Sequence, residues 1–323
     1  MARKFEDRLA EVRDAVADPK TPAHRQRLVK TLGGQQGYLI SVAAAALTPD
    51  DPELVTAACE AFERLLEDPI KRDPQCHGKA AIASALYDAE IRAEATFLAG
   101  VAHVQLEPVL GGRQDTAAHL RGVSLMALVH GQHPRAITCA GAMLADPERS
   151  ARLAALRALS ACNQPEAAEP LLRLRLELGD EDPEVLSDCM AALLEVSPAE
   201  NLAVVGARLR GADATAAEAA ALALGTSRVA GAFEVLRDHL QEDFVSDRRR
   251  TLFVALAMLR SDVAWQYLIE VIMDGGEGAP ADAIDALATF KEHGGLRERV
   301  EAAAMDRGDA EIQAHFERAF DST

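Results

Sequence analysis

The sequence predicts an all-α fold made of repeated helix pairs, and three observations predict it. Hydrophobic residues fill 49% of the 323 positions, and Ala and Leu dominate them. These are the strongest apolar helix formers, whereas strands would draw on Val, Ile, Tyr and Phe. Aromatic residues reach only 4%, which suits thin layers of closely approaching helices better than one thick core. Finally, an Ala-Leu or equivalent pair returns every 30 to 36 residues along nearly the whole chain, the interval of helical-hairpin repeats.

From the N-terminus these anchor pairs are Thr31-Leu32, Ala61-Phe62, Phe97-Leu98, Ala127-Leu128, Ala158-Leu159, Ala192-Leu193, Ala223-Leu224, Ala255-Leu256, Ala286-Leu287 and Ala319-Phe320. The clearest alignment sets Asp115–Leu128 against Asp146–Leu159, with Arg121 matching Arg152. An acid precedes most anchors: Asp51, Asp88, Asp115, Asp146, Asp182, Asp213, Asp247 and Asp309. There a carboxylate can accept the free N–H groups that open the anchor helix. Pro52, Pro147 and Pro183 follow three of these acids, where a missing N–H costs nothing. Gly33, Gly131 and Gly225 come after their anchors and are expected to be left-handed helix ends. A second apolar-periodic helix is predicted between anchors over 165–179, 230–243 and 264–276. The whole chain, 1–323, therefore reads as about ten helix pairs, with 1–50 and 295–323 as the capping units that repeat arrays need.

Asp, often Pro, then Arg about six residues before Ala-Leu resembles the HEAT repeat, and its bacterial phycobilisome-lyase-type variant most of all. Arg25, Arg92, Arg121, Arg152 and Arg249 occupy or adjoin the Arg place, while Leu186, Ala217 and Pro280 depart from it. The resemblance implies an α-α superhelix whose anchor helices line a concave face. It implies little about activity, because such repeats serve scaffolds, lyase subunits, DNA glycosylases and a metal-dependent hydroxylase.

Charge narrows the choice. The chain carries 34 Lys and Arg against 51 Asp and Glu, a net charge of −17. Excess acid concentrates in 180–200 and in the last seventy or so residues, so a polyanion such as duplex nucleic acid is an unfavourable partner. Apolar runs such as Leu39–Leu47 and Ala216–Leu224 are about half the length of a membrane span. The opening MARKFEDRLAEVRD lacks the uninterrupted apolar stretch of a secretory signal. Cys59, Cys76, Cys139, Cys162 and Cys189 are odd in number and lie mostly in Ala/Leu-rich stretches. They are expected to be reduced, buried thiols of a cytoplasmic protein.

No residue set earns a catalytic role. LGGQQGYL (Leu32–Leu39) lacks the Lys-Ser/Thr of a phosphate loop, and GGEGAP (Gly275–Pro280) reads as a connector. His119, His130, His133 and Cys139 offer no convergent tetrahedral set, so the HGQHP segment is expected to be a solvated loop without metal. No His is followed by Glu, which removes the dipeptide that the hydroxylase branch would require. Cys139 and Cys189 have no neighbouring His at a usable spacing. No cofactor is expected.

The expected function is a protein-binding scaffold whose partner carries a basic surface or segment. Helix phase places His119, Ser124, Arg157, Glu218 and Arg248 at exposed anchor-helix positions. Arg248, Arg249 and Arg250 form the one run of three basic residues, expected to pair with Asp243 and Asp247 on a solvated face. Trp265, the single Trp, is expected to pack between repeats with its indole edge turned out. The aligned Asp and Arg residues could form a recognition ladder, but capping and repeat-to-repeat linkage account for them first. Two other readings remain: a lyase-like subunit related to phycobilin lyases, and a HEAT-like DNA glycosylase.

Overall fold

Anchor helices need partners for their apolar faces, and in this architecture those partners come from sequence neighbours. The computed structural model describes residues 2–242 and 246–321. Among them are twenty α-helices and one β-hairpin, divided into two compact units at 1–164 and 165–323.

The first unit holds α1 (Ala2–Ala17), α2 (Pro22–Leu32), α3 (Gly37–Ala44), α4 (Pro52–Leu66), the short α5 (Pro69–Arg72) and α6 (His77–Asp88). It continues with α7 (Glu94–Val101), β1 (Leu106–Val109), β2 (Gly112–Asp115), α8 (Ala118–His130), α9 (Ala136–Met143) and α10 (Arg149–Ser160). Helices α1, α3, α6, α8 and α10 pack each on the next, and α2, α4 and α7 form a second series beside them.

The second unit holds α11 (Pro165–Leu178), α12 (Pro183–Val196), α13 (Pro198–Leu209), α14 (Ala214–Ser227) and α15 (Ala232–Glu242). Then follow α16 (Ser246–Met258), α17 (Asp262–Asp274), α18 (Ala279–Ala288), α19 (Leu296–Arg307) and α20 (Ala310–Asp321). Here α12, α14, α16, α18 and α20 pack in succession, while α13 touches α15 and α17 touches α19.

The Ala-Leu register is correct from α8 onward and shifts by one helix before it. The pairs at 127–128, 158–159, 192–193, 223–224, 255–256 and 286–287 are buried on the first series of their unit. Thr31-Leu32, Ala61-Phe62 and Phe97-Leu98 instead lie on α2, α4 and α7 of the second series. The corresponding first-series positions are Ala43-Ala44 on α3 and Ala85-Leu86 on α6. Ala44, Leu86 and Leu128 are 42 residues apart, because the α5 segment and the hairpin lengthen these repeats.

Six of the predicted capping acids accept amide hydrogens at or near a helix start. Asp51 takes Leu54 N–H, Asp182 those of Glu184 and Val185, and Asp213 those of Thr215 and Ala216. Asp115, Asp146 and Asp309 take Ala117, Glu148 and Glu311 N–H. Asp88 departs from the expectation, since it ends α6. The side chain of Asp247 lies outside the described residues, as does Asp243.

The glycine expectation fails for a clear reason. Gly33 and Gly131 end their helices with φ of −69° and −72°. The left-handed residue comes one position later than Gly131, at Gln132, four residues after the anchor Leu. Glu90, Asn163, Arg228 and Arg260 repeat that placement four residues after Leu86, Leu159, Leu224 and Leu256. Gly225 lies inside α14, where an added Cβ would sit 2.6 Å from the Ala255 carbonyl oxygen of α16. It permits helix contact and does not end a helix.

The Asp and Arg ladder is used internally. Arg121, nearly fully buried, donates to Asp115 of its own repeat and Asp146 of the next, and also to the His103 carbonyl. Arg25 reaches Asp51 and Glu53, and Arg249 reaches Asp282. Each arginine therefore ties one helix pair to its successor.

Candidate protein-docking site

The hairpin is the one strand pair among the described residues, and its polarity is inverted relative to ordinary surface loops. Leu106 pairs with Asp115, Glu107 with Gln114, Pro108 with Arg113 and Val109 with Gly112, leaving Leu110-Gly111 as the turn. Gly111 takes φ of +96° in open space, a conformation that favours glycine. The residues turned inward are acidic: Glu107 and Asp115 are both buried. Those turned outward are polar on the second strand, Arg113 and Gln114, and apolar along the first and at the apex. Leu106 and Val109 are about half exposed, Val104 just before them is 56% exposed, and Leu110 at the apex is fully exposed. Two-residue turns ordinarily carry Gly, Asn or Asp, so a leucine at the apex fills no need of the turn itself.

A buried polar network holds the base of this arm. The Glu107 carboxylate accepts the Gln75 amide at 2.5 Å, Gln105 Nε2 at 2.6 Å and Thr116 Oγ1 at 2.8 Å. Burial opposes its charge, yet these hydrogen bonds outweigh burial and hold it below the usual carboxylate range. Asp115 is similarly lowered: the Gln105 and Ala117 amides and the Arg121 guanidinium overcome its desolvation. Gln105 Nε2 also donates to the Asp73 carbonyl. The Asp73 carboxylate in turn accepts Lys79 Nζ at 2.9 Å and the first-turn amides of Gly78 and Lys79. Both side chains of that ion pair have no solvent exposure. An added Cβ on Gly37 would collide with Asp73, so α3 closes over the pair. The hairpin is therefore clamped at its base and apolar at its tip.

A cleft of about 490 Å³ lies at the other end of α7 and α8. Phe97, Ile91 and Leu128 form its apolar part, with Tyr87, His130, Glu94 and His133 among its polar groups. The Tyr87 hydroxyl and His130 Nδ1 are 2.8 Å apart, and His133 Nε2 is 2.6 Å from Glu94 Oε1. The HGQHP segment is thus the wall of a recess, paired to α6 and α7 side chains that its own spacing does not reveal. No group of three or more His, Cys, Asp and Glu side chains suited to a metal occurs among the described residues.

The positions predicted to meet a partner divide. His119, Arg157 and Glu218 are exposed on α8, α10 and α14, as helix phase predicts. Ser124 is a correction: it is fully buried, its hydroxyl against Gly100 of α7, so it faces a neighbouring helix. Arg248 lines a small recess with Glu218 and His239. Arg249 and Arg250 both engage Asp282 of α18, at 2.5 Å and 2.8 Å, so the triplet is partly neutralised from the next repeat. Trp265 is the second correction. It is 4% exposed and its indole N–H donates to the Ala257 carbonyl at 2.9 Å, which turns its polar edge inward. His293 packs edge-on against the ring at 4.9 Å.

Charge also separates the units. Residues 1–164 hold 19 Lys and Arg against 20 Asp and Glu, whereas 165–323 hold 15 against 31. Almost the whole net charge therefore belongs to the second unit. On α19 and α20, Glu298, Glu301, Glu311 and Glu317 are exposed. No described helix is long and apolar enough to cross a membrane. The sequence matches no protein-family model, and no curated protein matches it.

Proposed function

We propose that this chain is a non-enzymatic adaptor, a HEAT-like helical-repeat solenoid that holds a protein partner bearing a basic surface or segment. The observation that carries the reading is the confinement of nearly all the net charge, 31 acids against 15 bases, to the second compact unit. A strongly net-acidic unit raises the encounter rate with a basic partner and suppresses acidic ones, nucleic acid among them. Succession packing of helix pairs supports the solenoid part of the proposal. Arg25, Arg121 and Arg249 of the aligned Asp and Arg residues are used in linking successive pairs, which leaves the exposed acids of α19 and α20 for recognition.

Affinity capture from native lysate, with the purified full chain as bait at low and high salt, tests this. The expected result is one stoichiometric protein, released by salt. Recovery of nucleic acid or pigment with no protein partner would overturn the proposal.

A further inference from the structure

The hairpin tip and the cleft at 87–133 match each other, and they stand at opposite ends of the same helix pair. We infer that this chain associates with itself, the Val109-Leu110 tip of one copy entering the α6–α8 cleft of the next.

The tip supplies what the cleft lacks. Leu110 is fully exposed and Val109 about half exposed, while the recess has an apolar floor of Phe97, Ile91 and Leu128. A cleft of about 490 Å³ has room for more than one side chain of this size. Charge offers one pairing. Arg113, opposite Pro108 in the hairpin, and Glu90, on the cleft rim, are both exposed and have no side-chain partner among the described residues. Arg92 on the same rim balances Glu90 and keeps the rim near neutral. Residues 1–164 are nearly neutral in sum, so the surfaces brought together do not repel strongly.

The occupant must come from another molecule. The hairpin leaves at the N-terminal end of α8 and the cleft lies at its C-terminal end. Thirteen residues of helix separate these ends by about 20 Å. Each strand is four residues long, a reach of about 13 Å. The base is also fixed by Glu107 and Asp115. A copy that donates its arm keeps its own cleft free, so the contact is heterologous and closes into a ring or extends into a chain. This interface is distinct from the acidic second unit and does not depend on the basic-partner proposal.

Sedimentation of the purified full chain over a range of concentrations tests it. Wild type is expected to associate as concentration rises. Leu110→Asp should weaken association at least about 30-fold, and Leu110→Ala should weaken it less. Both variants should keep the wild-type circular dichroism, because Leu110 touches solvent only. Ala93→Trp, at the cleft wall, should also abolish association. Mixing Leu110→Asp with Ala93→Trp should restore a 1:1 dimer, since one contributes an intact cleft and the other an intact arm. The inference is overturned if wild type stays monomeric throughout, if either variant associates like wild type, or if the mixture yields no heterodimer.

Discussion

Removing Asp73 should damage the protein far more than removing the lysine it pairs with. In the pair Asp73–Lys79 neither side chain is exposed, so neither charge can recover hydration in the folded state. In Asp73→Ala the ammonium keeps only the Leu65 carbonyl at 3.4 Å, and the Gly78 and Lys79 amides lose their acceptor. Stranding one member of a buried pair costs about 3–5 kcal/mol. In Lys79→Met the carboxylate keeps both amide donors at the start of α6, where anions are favoured. That change should cost at most about 2 kcal/mol. With a urea dependence of about 2–3 kcal/mol/M, Asp73→Ala should lower the midpoint by about 1–2.5 M, and Lys79→Met by at most about 1 M. Adding Lys79→Met to Asp73→Ala should recover part of the loss, because the stranded charge is gone. Urea titration followed by helical circular dichroism measures all three variants. Equal midpoints for the two single variants, or a double variant as unstable as the sum, would refute the reasoning.

Three further outcomes follow from the same structure. Burial pushes the Cys76 and Cys189 thiols up to about 12, so in the native protein a thiol reagent should spare both while modifying half-buried Cys59 and Cys139, as peptide mapping would show. Glu107, Asp115 and Asp51 are held below the ordinary carboxylate range. Their contribution is therefore complete above about pH 4.3, the unfolded value, and is lost as pH falls through their lower folded values. Glu107→Gln should flatten that part of an acid titration of stability. Gly225→Ala should destabilise the second unit by about 1–3 kcal/mol, because its Cβ meets the Ala255 backbone. Trp265, buried in that unit, reports this directly through an earlier red shift of its emission in urea.

Much of the repeat was legible because its determinants are local. Capping acids, proline starts and the Ala-Leu interval follow from the needs of helix ends and thin cores. Register failed N-terminal to α8 because the inserted α5 segment and hairpin lengthen the repeat, while α2, α4 and α7 carry apolar pairs of similar type. Ser124 has the phase of an exposed position on an amphipathic helix, but α8 is packed by α6, α7, α9 and α10, which leaves it little open surface. The buried network was hidden for another reason. Asp73, Lys79, Gln105 and Glu107 read as surface residues, and only long-range closure brings them together. A useful signal was present in the hairpin: Gly111, next to the turn's Leu110, is preceded by Leu106, Val109 and Leu110, an apolar run where a surface turn ordinarily has polar residues.

The most direct test of the adaptor account is the dissociation constant of the captured partner for wild type and for a variant with Glu298, Glu301, Glu311 and Glu317 all changed to Gln, each measured across salt concentrations. The account predicts at least about tenfold weaker binding at low salt and a shallower salt dependence, with unchanged circular dichroism. The same affinity and the same salt slope in both proteins would contradict it.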